Sequence, residues 1–293
     1  AGQIMDGLPP AVGFCSIPIR RKISLFSDAH ALWRLVALFF RGNYDLVHSI
    51  TPKAGLLAMC AAYLCRVSFR VHVFTGQVWV TKVGLSRCLL KTIDRLIAAM
   101  ATHVLADSHS QRQFLVDEGV VPAEKIRVLA DGSICGVDQQ RFRPNERVRF
   151  ALRRELGLPQ DSVVALFLGR LTRDKGVLDL AKAFVNIADD HQDLYLIIVG
   201  PDEEGLRPVL QEIMSLLLER VRFVDMTSSP EDYMAGSDIF CLPSYREGFG
   251  SVIIEAAASG VPAVASNIYG LSDAVENGQT GILHRPGDIA EIG

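Results

Sequence analysis

Two glutamates stand eight positions apart in Glu247-Gly248-Phe249-Gly250-Ser251-Val252-Ile253-Ile254-Glu255, and the residues between them read as a glycine-rich turn that opens a helix. Gly248 and Gly250 are expected to leave backbone amides of the turn uncovered, with the helix N-terminus close behind. Uncovered amides and a helix N-terminus favour an anion, above all a phosphate. Glu255 would lie roughly 7–8 Å along the helix axis. Two carboxylates then flank a phosphate cradle and can hold hydroxyls on either side of it, the layout of a sugar, a diphosphate and a ribose. Taken as spacing alone, the pair carries almost no information, and two solvated carboxylates are the ordinary reading. Nor is Gly248-Phe249-Gly250 a dinucleotide fingerprint, because Ile253 stands where the third glycine should be.

A second cluster is Gly169-Arg170-Leu171-Thr172-Arg173-Asp174-Lys175-Gly176. Arg170 and Lys175 share one turn after an apolar run, so both could converge on a diphosphate. A departing nucleoside diphosphate gains negative charge as its glycosidic bond breaks, and fixed cations aimed at that charge lower the barrier. Arginine offers a fork for phosphate oxygens and lysine a point charge. The plainer alternative is two solvated cations on a surface turn. No Asp-x-Asp occurs in the chain, which agrees with the two cations, rather than a metal ion, meeting the diphosphate.

Such groups need strands that end at them. Apolar runs at 163–168, 194–199, 221–224, 239–242, 263–265 and 281–283 alternate with helical segments, notably 177–188 and 206–218. That alternation implies a parallel sheet covered on both faces, with ligands beyond the carboxyl ends of its strands. Gly169-Arg170, Gly200-Pro201 and Glu247-Gly248 all fall at those ends. In the first half, strands are expected at 11–19, 45–48, 69–74, 103–106 and 126–129. Helices are expected at 29–40 behind Asp28, at 56–64 behind the Thr51-Pro52-Lys53 turn, at 85–100 and at 108–118.

At 293 residues and 49% apolar content the chain is long enough for two α/β domains. No apolar run reaches the 18 or more residues of a membrane span. The six cysteines include no Cys-x-x-Cys pair, which argues against a zinc site or a disulfide framework and for reduced cytosol. The net charge of −3 hides an asymmetry: 17 Lys+Arg against 11 Asp+Glu through Glu146, then 13 against 22. A domain boundary is placed there, giving 1–146 and 147–293. The basic half suits an anionic partner or an anionic membrane surface, or else reflects charge scattered over solvated faces. In the 85–100 segment Leu85, Leu89, Ile93, Leu96, Ile97 and Met100 recur at helical spacing among Lys82, Arg87, Lys91 and Arg95. Such a helix either packs one face on its domain or sits against lipid headgroups.

The whole string from Glu247 to Pro262, with its Glu-Gly-Phe-Gly turn and Ala-x-Gly-x-Pro exit, resembles the Glu-x7-Glu signature of retaining glycosyltransferases of family 4. The Gly169-Arg170…Lys175-Gly176 turn matches that family's Gly-Arg…Lys-Gly motif. The resemblance implies an α/β chain of the GT-B fold, two Rossmann-like domains facing each other, here lacking an expected first strand and final helices. It implies Glu247, Arg170, Lys175 and His72 as catalytic groups, His72 facing the donor sugar. Gly248, Phe249, Gly250, Ser251, Glu255 and Gly169 would bind the donor, with Glu247 on the sugar and Glu255 on the ribose. His72 sits in an apolar strand, where a satisfied core residue is the ordinary reading. The stretches 48–55, 75–77 and 131–138 look like a subgroup that adds N-acetylhexosamines to polyprenyl-diphosphate-linked sugars, which would put an acceptor phosphate at Thr51 and Lys53.

The expected partners are therefore a UDP-sugar donor, a lipid-linked saccharide acceptor and an anionic membrane surface, with no separate cofactor, no metal and no nucleic acid. The expected place is cytoplasmic and peripheral, on the inner face of the cell membrane. The alternatives are a nucleotide-sugar epimerase of the same architecture and a non-catalytic nucleotide-binding fragment.

Overall fold

The computed structural model describes residues 12–20 and 24–293. Among them, ten strands form two sheets. The first contains β1 (Leu46–Ser49), β2 (Phe69–Phe74), β3 (His103–Ala106) and β4 (Ile126–Val128), ordered as in the chain, with β1 and β2 parallel. The second contains β5 (Val163–Leu168), β6 (Leu194–Val199), β7 (Val221–Val224), β8 (Ile239–Leu242), β9 (Ala263–Ser266) and β10 (Gly281–His284). Its spatial order is β10-β9-β8-β5-β6-β7, every pairing parallel. The chain lays β5, β6 and β7 outward, then returns to the other side of β5. Between β5 and β8 it therefore has the topological switch point at which doubly wound sheets take their ligands.

The apolar runs are nearly continuous because both faces of this sheet are covered. Side chains alternate across a strand, so Val164 and Leu166 of β5 pack with Ile197 and Val199 of β6 in one core. Ala165, Phe167, Leu196 and Ile198 pack in the other. Beyond the strand ends, Gly200 has φ 143°, and a Cβ there would overlap the carbonyl oxygen of Gly169. Glycine thus lets the turns after β5 and β6 close together.

By packing, residues through Val73 with Thr92–Val104 form one compact unit, and Phe74–Lys91 with Leu105–Gly293 form the other. In the first, helix Leu25–Gly42 packs on helix Pro52–Leu64 through Ala31, Leu35, Leu57 and Ala61. The second holds the six-stranded sheet.

Several expected elements differ. Residues 12–20 form no regular element where a strand was expected from Ala11, a residue outside those described. The first helix starts at Leu25, four residues ahead of expectation: Ser24 is its N-cap and Asp28 lies inside the first turn. There Asp28 accepts the Ser24 N–H at 3.1 Å and holds Lys53 at 2.7 Å. The segment 206–218 divides into helix Arg207–Ile213 and 3-10 turns Ser215–Arg220. The tightening draws Arg220 in to donate to the carbonyls of Ala188 and His191. Around the expected boundary lies helix Glu146–Glu155, capped by the Asn145 side chain. Its buried Arg153 donates to the carbonyls of Gly236, Gln160 and Ser162, and with Arg149 it holds Asp238 just ahead of β8. A buried guanidinium whose donors are met this fully costs little.

Candidate active site

The turn after β8 and the turn after β5 meet at one ion pair. Lys175 Nζ donates to Glu247 Oε1, and the same oxygen accepts Ser244 Oγ–H at 2.9 Å. Lys175 reaches it from the short 3-10 turn Arg173–Lys175. Gly176 follows with φ 68°, where a Cβ would overlap the Pro243 carbonyl. The neighbours brace the same two loops. Tyr245 N–H donates to the Asp174 carbonyl at 2.8 Å, and Arg246 lies 3.2 Å from the Asp174 carboxylate. The Tyr245 hydroxyl donates to Asp179 at 2.7 Å, and that bond with burial pushes its pKa up to about 12.

The turn itself is enclosed by backbone. Gly248, Phe249 and Gly250 are all buried. A Cβ on Gly248 would stand 2.5 Å from the Thr75 carbonyl oxygen and 2.7 Å from Asp107 Oδ2. Gly76, φ 118°, would place one 3.2 Å from the Glu247 carbonyl carbon and the Gly248 nitrogen. Gly270, φ 86°, would place one 2.5 Å from the Gly248 carbonyl oxygen. Ser108 Oγ donates to that oxygen at 2.9 Å, Gly132 lies against the Phe249 ring, and Ser133 Oγ meets Ser251 Oγ at 3.3 Å. The turn whose two glycines were expected to uncover amides is thus closely approached by four other loops. The stretches 75–77 and 131–133, singled out in the sequence, supply two of those loops.

Asp107, at the end of β3, is the group that sequence reasoning missed. It is buried, its Oδ1 has no hydrogen-bond partner, and burial pushes its pKa up to about 6. Ser108, Ser244, Glu203 and Gly270 were missed as well. Their signal was position at or just beyond the carboxyl end of a strand, which was applied to Gly169-Arg170, Gly200-Pro201 and Glu247-Gly248 alone.

The other expected residues are placed as follows. Arg170 does not join Lys175: its guanidinium holds Glu203 at 2.9 Å in the turn after β6. Gly169 continues β5, its N–H donating to the Val199 carbonyl at 2.9 Å. Glu255 lies in helix Ser251–Ala258, half-buried, its pKa raised chiefly by burial and opposed by Arg141. In the first unit His72 is buried and its Nδ1 lies 2.8 Å from Ser49 Oγ. Burial, with His48 nearby, lowers its pKa to about 4, so it is a neutral imidazole. Thr51 is the N-cap of helix Pro52–Leu64, without a side-chain cap bond. Lys53 turns to Asp28 and to the Arg20 carbonyl, both at 2.7 Å. Among the described residues no group of three His, Cys, Asp or Glu side chains is placed to hold a metal ion.

A doubly wound parallel sheet with its switch point between β5 and β8, in a chain that also holds a second compact unit of strands and helices, agrees with the GT-B fold expected from the sequence. The chain belongs to the family Glycosyl transferases group 1, which residues 148–293 match, while residues 5–132 match the Glycosyl transferase 4-like domain. It is 30% identical over 284 residues to the capsular polysaccharide biosynthesis glycosyltransferase CapM of Staphylococcus aureus, covering 94% of this chain and 72% of that protein. It is also 30% identical over 295 residues to the UDP-Gal:alpha-D-GlcNAc-diphosphoundecaprenol alpha-1,3-galactosyltransferase of Escherichia coli, covering 99% and 75%. Among solved structures, Anabaena HepE in complex with UDP-glucose superposes with a TM-score of 0.74 at 25% identity, covering 89% of this chain and 70% of that one.

Proposed function

We propose that this glycosyltransferase moves a sugar from a UDP-sugar to a saccharide carried on polyprenyl diphosphate, with retention at the anomeric carbon and without a metal ion. The observation that carries the reading is the Lys175–Glu247 pair at the switch point: a cation for the leaving diphosphate beside a carboxylate for sugar hydroxyls. The names of the Escherichia coli relative and of the HepE complex, with UDP-linked sugars and an undecaprenyl diphosphate acceptor, support it.

In this reading Lys175 and Arg170 neutralise the diphosphate, Arg170 exchanging Glu203 for phosphate oxygens. Glu247 holds the sugar, Glu255 the ribose, and the Gly169 and Gly248–Ser251 backbone lines the donor. Thr51 and Lys53 take the acceptor phosphate, and His72 serves the sugar side as a neutral hydrogen-bonding group. The bond from the anomeric carbon to the diphosphate oxygen breaks while the acceptor hydroxyl attacks the same face. The departing oxygen takes the hydroxyl proton, so no carboxylate acts as nucleophile, unlike in retaining glycosidases. The transferred sugar is an N-acetylhexosamine, and the enzyme works as a peripheral protein on the inner face of the cell membrane. Among the described residues no helix is long and apolar enough to cross a membrane.

Incubation with a panel of UDP-sugars and bacterial membranes, followed by mass analysis of the lipids, tests this. A lipid product heavier by one N-acetylhexosamine is expected, as is UDP binding that survives excess EDTA. Epimerised sugar nucleotide formed without acceptor, UDP binding without turnover, or affinity lost on chelation and restored by magnesium would each overturn the corresponding part.

A further inference from the structure

In the basic helix Gly84–Met100, Arg87 and Lys91 spend their charge within the protein. Arg87 and Lys91 both hold Glu118, at 3.2 and 2.5 Å, and both stand over the ring of Trp79. Charges neutralised this way offer little to an anionic surface.

Helix Leu25–Gly42 is built the other way. Phe26, Trp33 and Phe40 are 93%, 66% and 80% exposed. They lie seven apart, nearly two helical turns, so the three rings form one stripe along an 18-residue helix about 27 Å long. The opposite side, with Ala31 and Leu35, is the one buried against Leu57 and Ala61. Arg34 and Arg41 flank the stripe by helical spacing. The helix has one acidic residue, Asp28, and it is turned away to Ser24 and Lys53. Beside the stripe runs a groove of about 380 Å³ between Trp33, Arg34 and Arg41 on the helix and Cys15 and Ile17 of the preceding segment. Aromatic rings in a row, arginines at their flank and no carboxylate among them are the features of a helix that lies in a lipid interface. The charge complement is an anionic headgroup.

We infer that the Phe26–Trp33–Phe40 face of helix Leu25–Gly42 is the protein's docking surface for an anionic phospholipid bilayer, the helix lying in the plane of the headgroups. The inference rests on the proposed lipid-linked acceptor, because an enzyme whose acceptor is held in a bilayer must come to that bilayer.

The chain carries its own probe. Of its two tryptophans, Trp33 lies on the face and Trp79 is 1% exposed. Phosphatidylglycerol vesicles should shift the emission to shorter wavelength, and brominated lipid should quench it, with neither effect in Trp33→Phe although that variant still binds. Arg34→Gln with Arg41→Gln should weaken binding by roughly 25-fold at low salt, about fivefold for each charge. Phe26→Ser with Phe40→Ser should weaken it at every salt concentration. All these side chains lie on the outer face, so folding is expected to survive, and UDP titration checks it. Vesicle-bound protein with unchanged Trp33 emission would overturn the inference, as would binding lost only with Leu85→Ser and Leu89→Ser. Self-association through this face without lipid, or no vesicle binding with UDP binding intact, would also overturn it. In that last case the donor site stands and the membrane face falls; vesicle binding without UDP affinity would have the opposite meaning.

Discussion

Glu247→Gln separates two roles that one oxygen performs. Glu247 Oε1 accepts both the Lys175 ammonium and the Ser244 hydroxyl, with the two charged side chains only 19% and 14% exposed. Glutamine keeps the shape and an acceptor but removes the charge. If Glu247 holds a sugar hydroxyl while the ring gains positive character, that bond strengthens toward the transition state, so its loss falls on kcat. A charge-assisted hydrogen bond is worth about 1.5–3 kcal/mol, which converts to a kcat lower by roughly 10- to 150-fold. UDP affinity should move the other way or not at all, because Lys175 loses its counter-charge and can give itself to the diphosphate. Lys175→Ala should weaken UDP binding far more than uridine binding. The double variant should depart from additivity by about 0.5–3 kcal/mol, since the two side chains touch. Calorimetric titration with UDP and uridine, beside steady-state rates of lipid glycosylation, reads all four quantities. If Glu247→Gln changed only the donor KM, or Lys175→Ala weakened UDP and uridine equally, the pair would be a brace between two loops and nothing more.

Gly270→Ala should abolish UDP binding before it abolishes folding, because its Cβ meets the Gly248 carbonyl oxygen at 2.5 Å; UDP titration beside a circular-dichroism melt checks this. Asp107 has a pKa raised to about 6 by burial, so the folded protein holds its proton more tightly than the unfolded chain and loses stability as pH rises from about 4 to 6. Asp107→Asn should therefore melt higher than the wild type at pH 7.5, with the difference closing toward pH 4. The His72 pKa, lowered to about 4, gives the opposite sign: its contribution is present above the ordinary value of 6.5 and is lost as pH falls toward 4. Its ring resonances should not titrate between pH 8 and 5.5.

The second sheet was legible almost strand by strand, because a strand buried on both faces writes itself as an unbroken apolar run between glycines. Val163–Leu168, Leu194–Val199, Val221–Val224 and Ile239–Leu242 fall where the sequence puts them. The first helix was read late because Asp28 looks like a cap, whereas its carboxylate serves Ser24 and Lys53 from inside the first turn. At the site, spacing indicated which turns matter but not what their glycines face. Gly248 reads the same from sequence whether it opens amides to an anion or yields room to Asp107 and Thr75. Asp107 lies 140 positions or more from the turn it supports, and no local pattern announces such an approach.

The pairing of Arg170 with Glu203 also bears on how an anion would enter. Lysine has three donors, so Lys175 can keep Glu247 and still bind phosphate oxygens. Arginine recognises phosphate through its planar fork, and one arm of Arg170 is already given to Glu203. The Arg170 side chain is 46% exposed, and an ion pair at that exposure is worth about 0–1 kcal/mol. Exchange of Glu203 for a diphosphate therefore costs little, while the more enclosed Lys175–Glu247 pair stays in place. In the proposed reading the two cations that share a turn in the sequence would therefore have different duties: Lys175, fixed by Glu247 before a donor arrives, and Arg170, recruited from Glu203 by it.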